Sequence, residues 1–178
     1  VLRSLDPEAF RNRRPYPWWS VAGLLRDEAY ERLRADLPPL EMFRPVFGKK
    51  RRFGQKSHDR YALEYEPGLR LAPSWQAFID ELQGPEYRAW IARMLGSDAF
   101  GLHFHWHYTP AAASVSPHCD AKRKLGSHIF YFNTLEDWDP AWGGGTVILG
   151  DGGRFSHRSA PAFEDFDSAV EAESVGNR

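Results

Sequence analysis

The chain has 178 residues, of which 42% are hydrophobic and 15% aromatic, and this composition predicts a globular protein with a substantial core. A formal net charge of -1 argues against a general nucleic-acid binder, which would be basic overall. The single cysteine, Cys119, excludes an intramolecular disulfide and a cysteine-rich zinc site. No apolar run is long enough to cross a bilayer, so we expect one soluble, cytoplasmic domain over residues 1–178, with no membrane partner.

The first half of the chain, to about residue 99, is predicted to be mainly helical. Residues 15–25 are interpreted as an entry strand or an extended arm. Asp27 and Ser74 are candidate caps of two helices, and a third is expected to begin at Pro85 and to end at Gly96. Each helix has an apolar stripe that predicts core packing: Tyr30, Leu33 and Leu37; Trp75, Phe78, Ile79 and Leu82; Tyr87, Trp90, Ile91 and Met94.

From Phe100 onwards the apolar residues recur at every second position, which is typical of strands. Residues 127–133 and 145–150 are predicted to be further strands, and the segment after Ala160 is interpreted as an acidic loop or insertion. In the first strand His103, His105 and His107 alternate with an apolar face: Leu102, Phe104, Trp106 and Tyr108. Helices followed by strands predict an α+β fold in which a helical layer backs an antiparallel sheet or a jelly roll over about residues 100–178.

His118 and Asp120 form an H-x-D pair. On an extended segment both side chains leave the same face, with Cα atoms about 6.5 Å apart, so an imidazole nitrogen and a carboxylate oxygen can meet on one ion. The intervening Cys119 would point the other way. One histidine and one carboxylate are two thirds of the 2-His-1-carboxylate triad of non-haem Fe(II) oxygenases.

The sequence around this pair resembles the iron- and 2-oxoglutarate-dependent dioxygenases, particularly their prolyl-hydroxylase-like branch. The matching elements come in the family's order over residues 16–37 and 100–178. They are a strand tyrosine, Tyr108; the H-x-D pair; "FYFN" ending at Asn133; Trp138; and the Gly-Gly run from Gly143 into "TVIL". The resemblance implies a double-stranded β-helix, or jelly roll, and a requirement for Fe(II), 2-oxoglutarate and O2.

The resemblance also implies roles for individual residues. His118 and Asp120 would bind iron, and Tyr108 would reach the cosubstrate. The family's second histidine, and the Arg or Lys that anchors 2-oxoglutarate, would lie beyond Arg178, so the jelly roll is expected to lack its last strands. His157 follows the "TVIL" strand too early to be the family's second histidine. The expected reaction is hydroxylation of a C–H bond with release of succinate and CO2. The substrate, whether peptidyl proline, an amino acid or another small molecule, and the oligomeric state stay open.

Two alternatives remain. Histidines at i, i+2 spacing on a strand can bind a metal, so His103, His105 and His107 are an alternative cupin-like metal site. If Tyr108 faces the barrel interior, however, strand alternation turns all three histidines outwards. The other alternative is a non-catalytic, truncated jelly roll that acts as an interaction module.

Two basic segments are candidate contacts for an anionic ligand. The loop at residues 47–60 contains "GKKRRFGQK", in which Phe53 lies among five cations. It is interpreted as a solvated loop, and the alternatives are that it attracts an anionic substrate or contacts nucleic acid. Lys122 and Arg123 directly follow the H-x-D pair and are candidate substrate-binding residues.

Overall fold

The computed structural model describes residues 1–177, which form a mixed α+β fold. Their four α-helices and five β-strands alternate in an order that differs from the expected helices-then-strands arrangement. The helices are α1 (Pro7–Arg11), α2 (Asp27–Ala35), α3 (Pro73–Gln83) and α4 (Pro85–Leu95). The strands are β1 (Arg44–Val46), β2 (Arg60–Glu64), β3 (His105–Tyr108), β4 (Thr146–Gly150) and β5 (Ser168–Ala172).

The three predicted helices are confirmed as α2, α3 and α4, and their apolar stripes supply most of the core. The buried members are Tyr30, Leu33, Trp75, Ile79, Leu82 and Met94. Pro85 begins α4, and Gly96 ends it with φ +71°, a left-handed conformation that favours glycine. The capping predictions for Asp27 and Ser74 are both wrong. Asp27 is the first residue of α2 and follows the N-cap Arg26, while the Ser74 hydroxyl donates to Asp36 Oδ2 at 2.6 Å and so ties α3 to the end of α2.

The main sheet has the strand order β1-β2-β3, and both pairings are antiparallel. On one face Trp106 and Tyr108 of β3 pack towards the helical layer: the Trp106 and Trp75 rings lie 5.2 Å apart, and the Tyr108 and Phe43 rings 4.6 Å apart. His105 and His107 lie on the opposite, exposed face. The predicted alternation of β3 is therefore confirmed.

β1 and β2 lie inside the region that we predicted to be a helical lead-in, so that boundary is wrong. β1 has only three residues, and its central Pro45 has no N–H to donate, which suits an edge strand. β2 buries the consecutive residues Ala62 and Leu63. Neither strand is long enough to show a clear period-two pattern.

The predicted strand at residues 127–133 forms no β-ladder, although its alternation is real. His128, Phe130 and Phe132 each contact the helices, and their ring centroids lie 5.6 Å from Trp90, 5.3 Å from Phe78 and 5.1 Å from Trp75, respectively. The backbone is bound to α2 instead of to a strand, because Arg34 Nε donates to the Phe132 carbonyl oxygen at 3.0 Å. Helix packing thus replaces strand pairing here. Residues 15–25 also form no strand.

The predicted strand at residues 145–150 is confirmed as β4, and it pairs antiparallel with β5 in a second sheet. β5 lies in the segment that we interpreted as an acidic loop, so that interpretation is wrong. Four of its five residues are exposed, and a strand with both faces largely exposed gives no hydrophobic alternation to detect.

Neither of the two sheets formed by residues 1–177 closes into a barrel. In the same range, no helix is both long enough and apolar enough to cross a membrane.

Candidate functional site

His118 and Asp120 lie side by side on the loop that follows β3. Pro117 before them is buried, His118 is half-buried and Asp120 is exposed. His118 Nε2 lies 3.7 Å from Asp120 Oδ1. With metal–ligand bonds of about 2.1 Å, two donors at adjacent octahedral positions lie about 3.0 Å apart, and two at opposite positions about 4.2 Å. The observed separation lies between these values, so a small side-chain rotation would bring both atoms to adjacent positions on one ion.

The neighbours of the pair fix which atoms face each other. His118 Nδ1 lies 2.8 Å from the Ser116 carbonyl oxygen, and because a carbonyl can only accept, Nδ1 carries the hydrogen. The Nε2 atom is then the one presented to Asp120. Asp120 Oδ2 is held at 2.9 Å by the ammonium of Lys124, which leaves Oδ1 towards the histidine.

The charges in this group are strongly coupled. His118, followed by Lys124, holds the pKa of Asp120 well below its usual range, so the carboxylate is ionised at neutral pH. The Asp120 carboxylate in turn raises the pKa of His118.

His58 is a neighbour of the pair that was not predicted, because it lies sixty residues earlier in the chain than His118. Its ring lies 4.6 Å from that of His118, and it is 8% exposed. The guanidinium of Arg51 contacts both ring nitrogens of His58. Burial, and then the positive charge of Arg51, lowers the pKa of His58 to about 4, so this ring is neutral at physiological pH.

The exposed face of β3 is close to the same site. The His105 and His107 rings stack with centroids 4.5 Å apart. Burial is the main cause that lowers the pKa of both, and the positive charges of Lys124 and Arg60 add to it. Since Lys124 is the ion-pair partner of Asp120, it links the histidine face to the H-x-D pair.

The structure does not bring Tyr108 to the pair. Its hydroxyl donates to the Pro38 carbonyl oxygen at 3.3 Å, and its ring packs on Phe43, on the helical side of β3. A role for Tyr108 with a cosubstrate stays a prediction.

Within residues 1–177, the other residues selected from the sequence make no side-chain hydrogen bond, ion pair or ring contact with the pair. Lys122 and Arg123 are exposed, and within residues 1–177 their side chains make no ion pair or side-chain hydrogen bond. His157 lies edge-on to Phe53, with ring centroids 6.4 Å apart. In the segment "AKRK", the residue that contacts the pair is Lys124, which was not selected from the sequence. Its i, i+4 spacing from Asp120 was the signal that could have indicated this contact.

The pair fits an Fe(II) site in part. Its donor chemistry, one imidazole nitrogen and one ionised carboxylate, is that of the 2-His-1-carboxylate class. Within residues 1–177, however, no three His, Cys, Asp or Glu side chains are grouped so that they could hold a metal. The described residues would therefore supply at most two of the three protein ligands of such a site.

Comparisons with protein-family models, with curated protein sequences and with solved structures gave no match. The functional argument consequently depends on the geometry of the site and on the sequence motifs.

Proposed function

We propose that the protein is an Fe(II)- and 2-oxoglutarate-dependent dioxygenase that hydroxylates a C–H bond and releases succinate and CO2. The observation that carries the proposal is the facing of His118 Nε2 and Asp120 Oδ1 at 3.7 Å, with the other atom of each group already engaged. When bound, Fe(II), 2-oxoglutarate and O2 would supply the oxidising chemistry, which protein side chains alone lack.

The residues around the pair would orient the ligands. The Ser116 carbonyl fixes the tautomer of His118, and Lys124 fixes the carboxylate rotamer of Asp120. Such supporting hydrogen bonds typically change metal affinity by about 10–100-fold. The proposal requires a third protein ligand that residues 1–177 do not bring to the pair.

We infer, as part of the same proposal, that the two open antiparallel sheets belong to a jelly roll. The support is the order of motifs, in which β3, the H-x-D loop and β4 follow one another as in the family that the sequence resembles. A cytoplasmic location is also part of the proposal, since the exposed thiol of Cys119 suits a reducing compartment.

The test is the weak visible charge-transfer band of this enzyme class, recorded after anaerobic addition of Fe(II) and 2-oxoglutarate to the native protein. We expect the band in the wild type and in His105→Ala, and its loss in His118→Ala. Loss in His105→Ala with retention in His118→Ala would instead favour the cupin-like site on β3. The adjacent rings of His105 and His107 on β3 keep that second candidate in the experiment.

A further inference from the structure

An open cleft of about 570 Å3 lies beside the H-x-D pair. Its wall consists of β1, the basic loop after it and both ends of β2. His58, whose ring lies 4.6 Å from that of His118 at an angle of 55°, is part of this wall, so the cleft adjoins the proposed metal ligands. The charged side chains that line it are Arg44, Lys49, Arg51, Arg60 and Glu64.

The charges in the cleft are not balanced. Arg44 forms an ion pair with Glu64 at 2.6 Å. Within residues 1–177, Lys49, Arg51 and Arg60 form no ion pair with any carboxylate. Three cations therefore face one cleft without an anionic partner.

Asp59, the chain neighbour of Arg60, and Asp120, whose charge acts on Arg51, are already engaged elsewhere. Asp59 accepts from the Gly48 backbone N–H at 2.9 Å and from the Ser57 hydroxyl. Asp120 accepts from Lys124. Neither carboxylate lines the cleft.

Arg51 and Arg60 line the same cleft, the charge of one acts on the other, and their guanidinium groups have unused donors. Arg60 Nη1 donates to the His58 carbonyl oxygen at 3.0 Å, but the Nε of Arg60 is buried and has no hydrogen-bond partner. Burial, followed by the positive charge of Arg60, lowers the pKa of Arg51. Two like charges at a partly buried position are unfavourable by themselves, and an anion between them would remove that cost.

We propose that the cleft binds the oxyanion of a small molecule, a carboxylate or a phosphate group, through Arg51 and Arg60. Guanidinium groups bind both oxyanions with paired N–H donors, and the cleft volume is within the range of small-molecule sites. Assigning this molecule as the substrate rests on the proposed function, because the cleft adjoins His118; the binding of an anion does not. A concave cleft in a chain of net charge -1 favours a small ligand over nucleic acid.

The experiment is calorimetric titration of the metal-free protein at low salt with inorganic phosphate, succinate and succinamide, the uncharged diamide of succinate. We expect saturable binding of phosphate or succinate and none of succinamide. The tighter of the two anions identifies the charged group of the ligand. Added NaCl should weaken the binding, because it screens charge pairs.

The variants are Arg51→Gln and Arg60→Gln, with Arg52→Gln as the matched control. Arg52 is the exposed neighbour of Arg51 in the same loop and does not line the cleft. Each cleft variant should weaken anion binding by about tenfold or more, as expected for loss of a charge-assisted hydrogen bond, and the control should leave it unchanged. Circular dichroism checks folding, and Arg51→Gln, in a loop, carries the test if Arg60→Gln unfolds.

The proposal is overturned if neither anion binds saturably, or if Arg52→Gln weakens binding as much as Arg51→Gln does. It is also overturned if a single-stranded DNA of about ten nucleotides binds more tightly than either anion and depends equally on Arg52, because the loop would then be a nucleic-acid surface. Anion binding is measured on the metal-free protein, so its outcome does not depend on whether the protein binds iron. Failure of the anion proposal is therefore distinguishable from failure of the dioxygenase proposal.

Discussion

The burial of the His128 ring leads us to predict a specific dependence of folding stability on pH. Its ring is enclosed by those of Tyr87, Trp90 and Phe130, with centroids 6.0, 5.6 and 4.1 Å away, and its Nδ1 is hydrogen-bonded to the Tyr87 hydroxyl at 2.6 Å. Burial lowers the pKa of His128 to about 4 from the ordinary value of 6.5. The folded protein therefore keeps this ring neutral.

The sign and size of the effect follow from this pKa. Below pH 6.5 the unfolded chain binds a proton that the folded chain does not, so stability falls as pH falls. A depression of about 2.5 pKa units, at 1.36 kcal/mol per unit, reduces the free energy of unfolding by about 2 kcal/mol between pH 7 and pH 5 and by about 3 kcal/mol by pH 4.

The assay is urea unfolding of wild type, His128→Gln and His103→Gln at pH 7, 6, 5 and 4. Glutamine does not titrate, and its amide oxygen can accept from the Tyr87 hydroxyl, so His128→Gln should lose less stability on acidification by the amounts above. His103 is exposed, and His103→Gln should follow the wild type. The reasoning is refuted if the difference in stability between wild type and His128→Gln stays constant with pH, or if His103→Gln reduces the pH dependence as much as His128→Gln does.

Two further predictions concern Lys124 beside the H-x-D pair and the glycines of two turns. Lys124→Met removes the ammonium that orients Asp120, and it should weaken Fe(II) binding about tenfold, as measured by anaerobic dialysis. The control is Lys56→Met, at another exposed lysine, which should leave the Fe(II) affinity unchanged. Equal Fe(II) affinities of the two variants would contradict the orienting role of Lys124. Gly144 has φ +86°, and a Cβ added there would lie 2.8 Å from the indole ring of Trp138. Gly153 has a similar φ of +82°, but a Cβ added there would meet no atom within 4 Å. By urea unfolding, Gly153→Ala should cost about 1 kcal/mol and Gly144→Ala about 2 kcal/mol more, while equal costs would refute the steric argument.

Helices of this protein are predictable because their signals are local. In α4, Pro85, Gly96 and the apolar spacing between them all fall within twelve residues and agree. β1 and β5 have no such signal, since β1 has three residues and β5 is almost wholly exposed. Residues 127–133 have the alternation of a strand, but the partner that they find is a layer of helices, and a period of two does not specify the partner.

The candidate site is partly local and partly not. The proximity of His118 to Asp120 follows from their i, i+2 spacing, and that of Lys124 from its i, i+4 spacing. The proximity of His58 depends on the start of β2 meeting a loop sixty residues later in the chain, which only tertiary packing determines. The position of Tyr108 also depends on tertiary packing. The alternation of β3 predicts on which face of the strand Tyr108 lies, but it does not predict that Pro38 is its hydrogen-bond partner there.

The central claim is that His118 and Asp120 hold Fe(II), and metal stoichiometry after anaerobic equilibration of the native protein tests it most directly. Wild type and His105→Ala are expected to retain one Fe(II) per chain, and His118→Ala and Asp120→Ala to retain none. Retention of one Fe(II) per chain by both His118→Ala and Asp120→Ala would contradict the account.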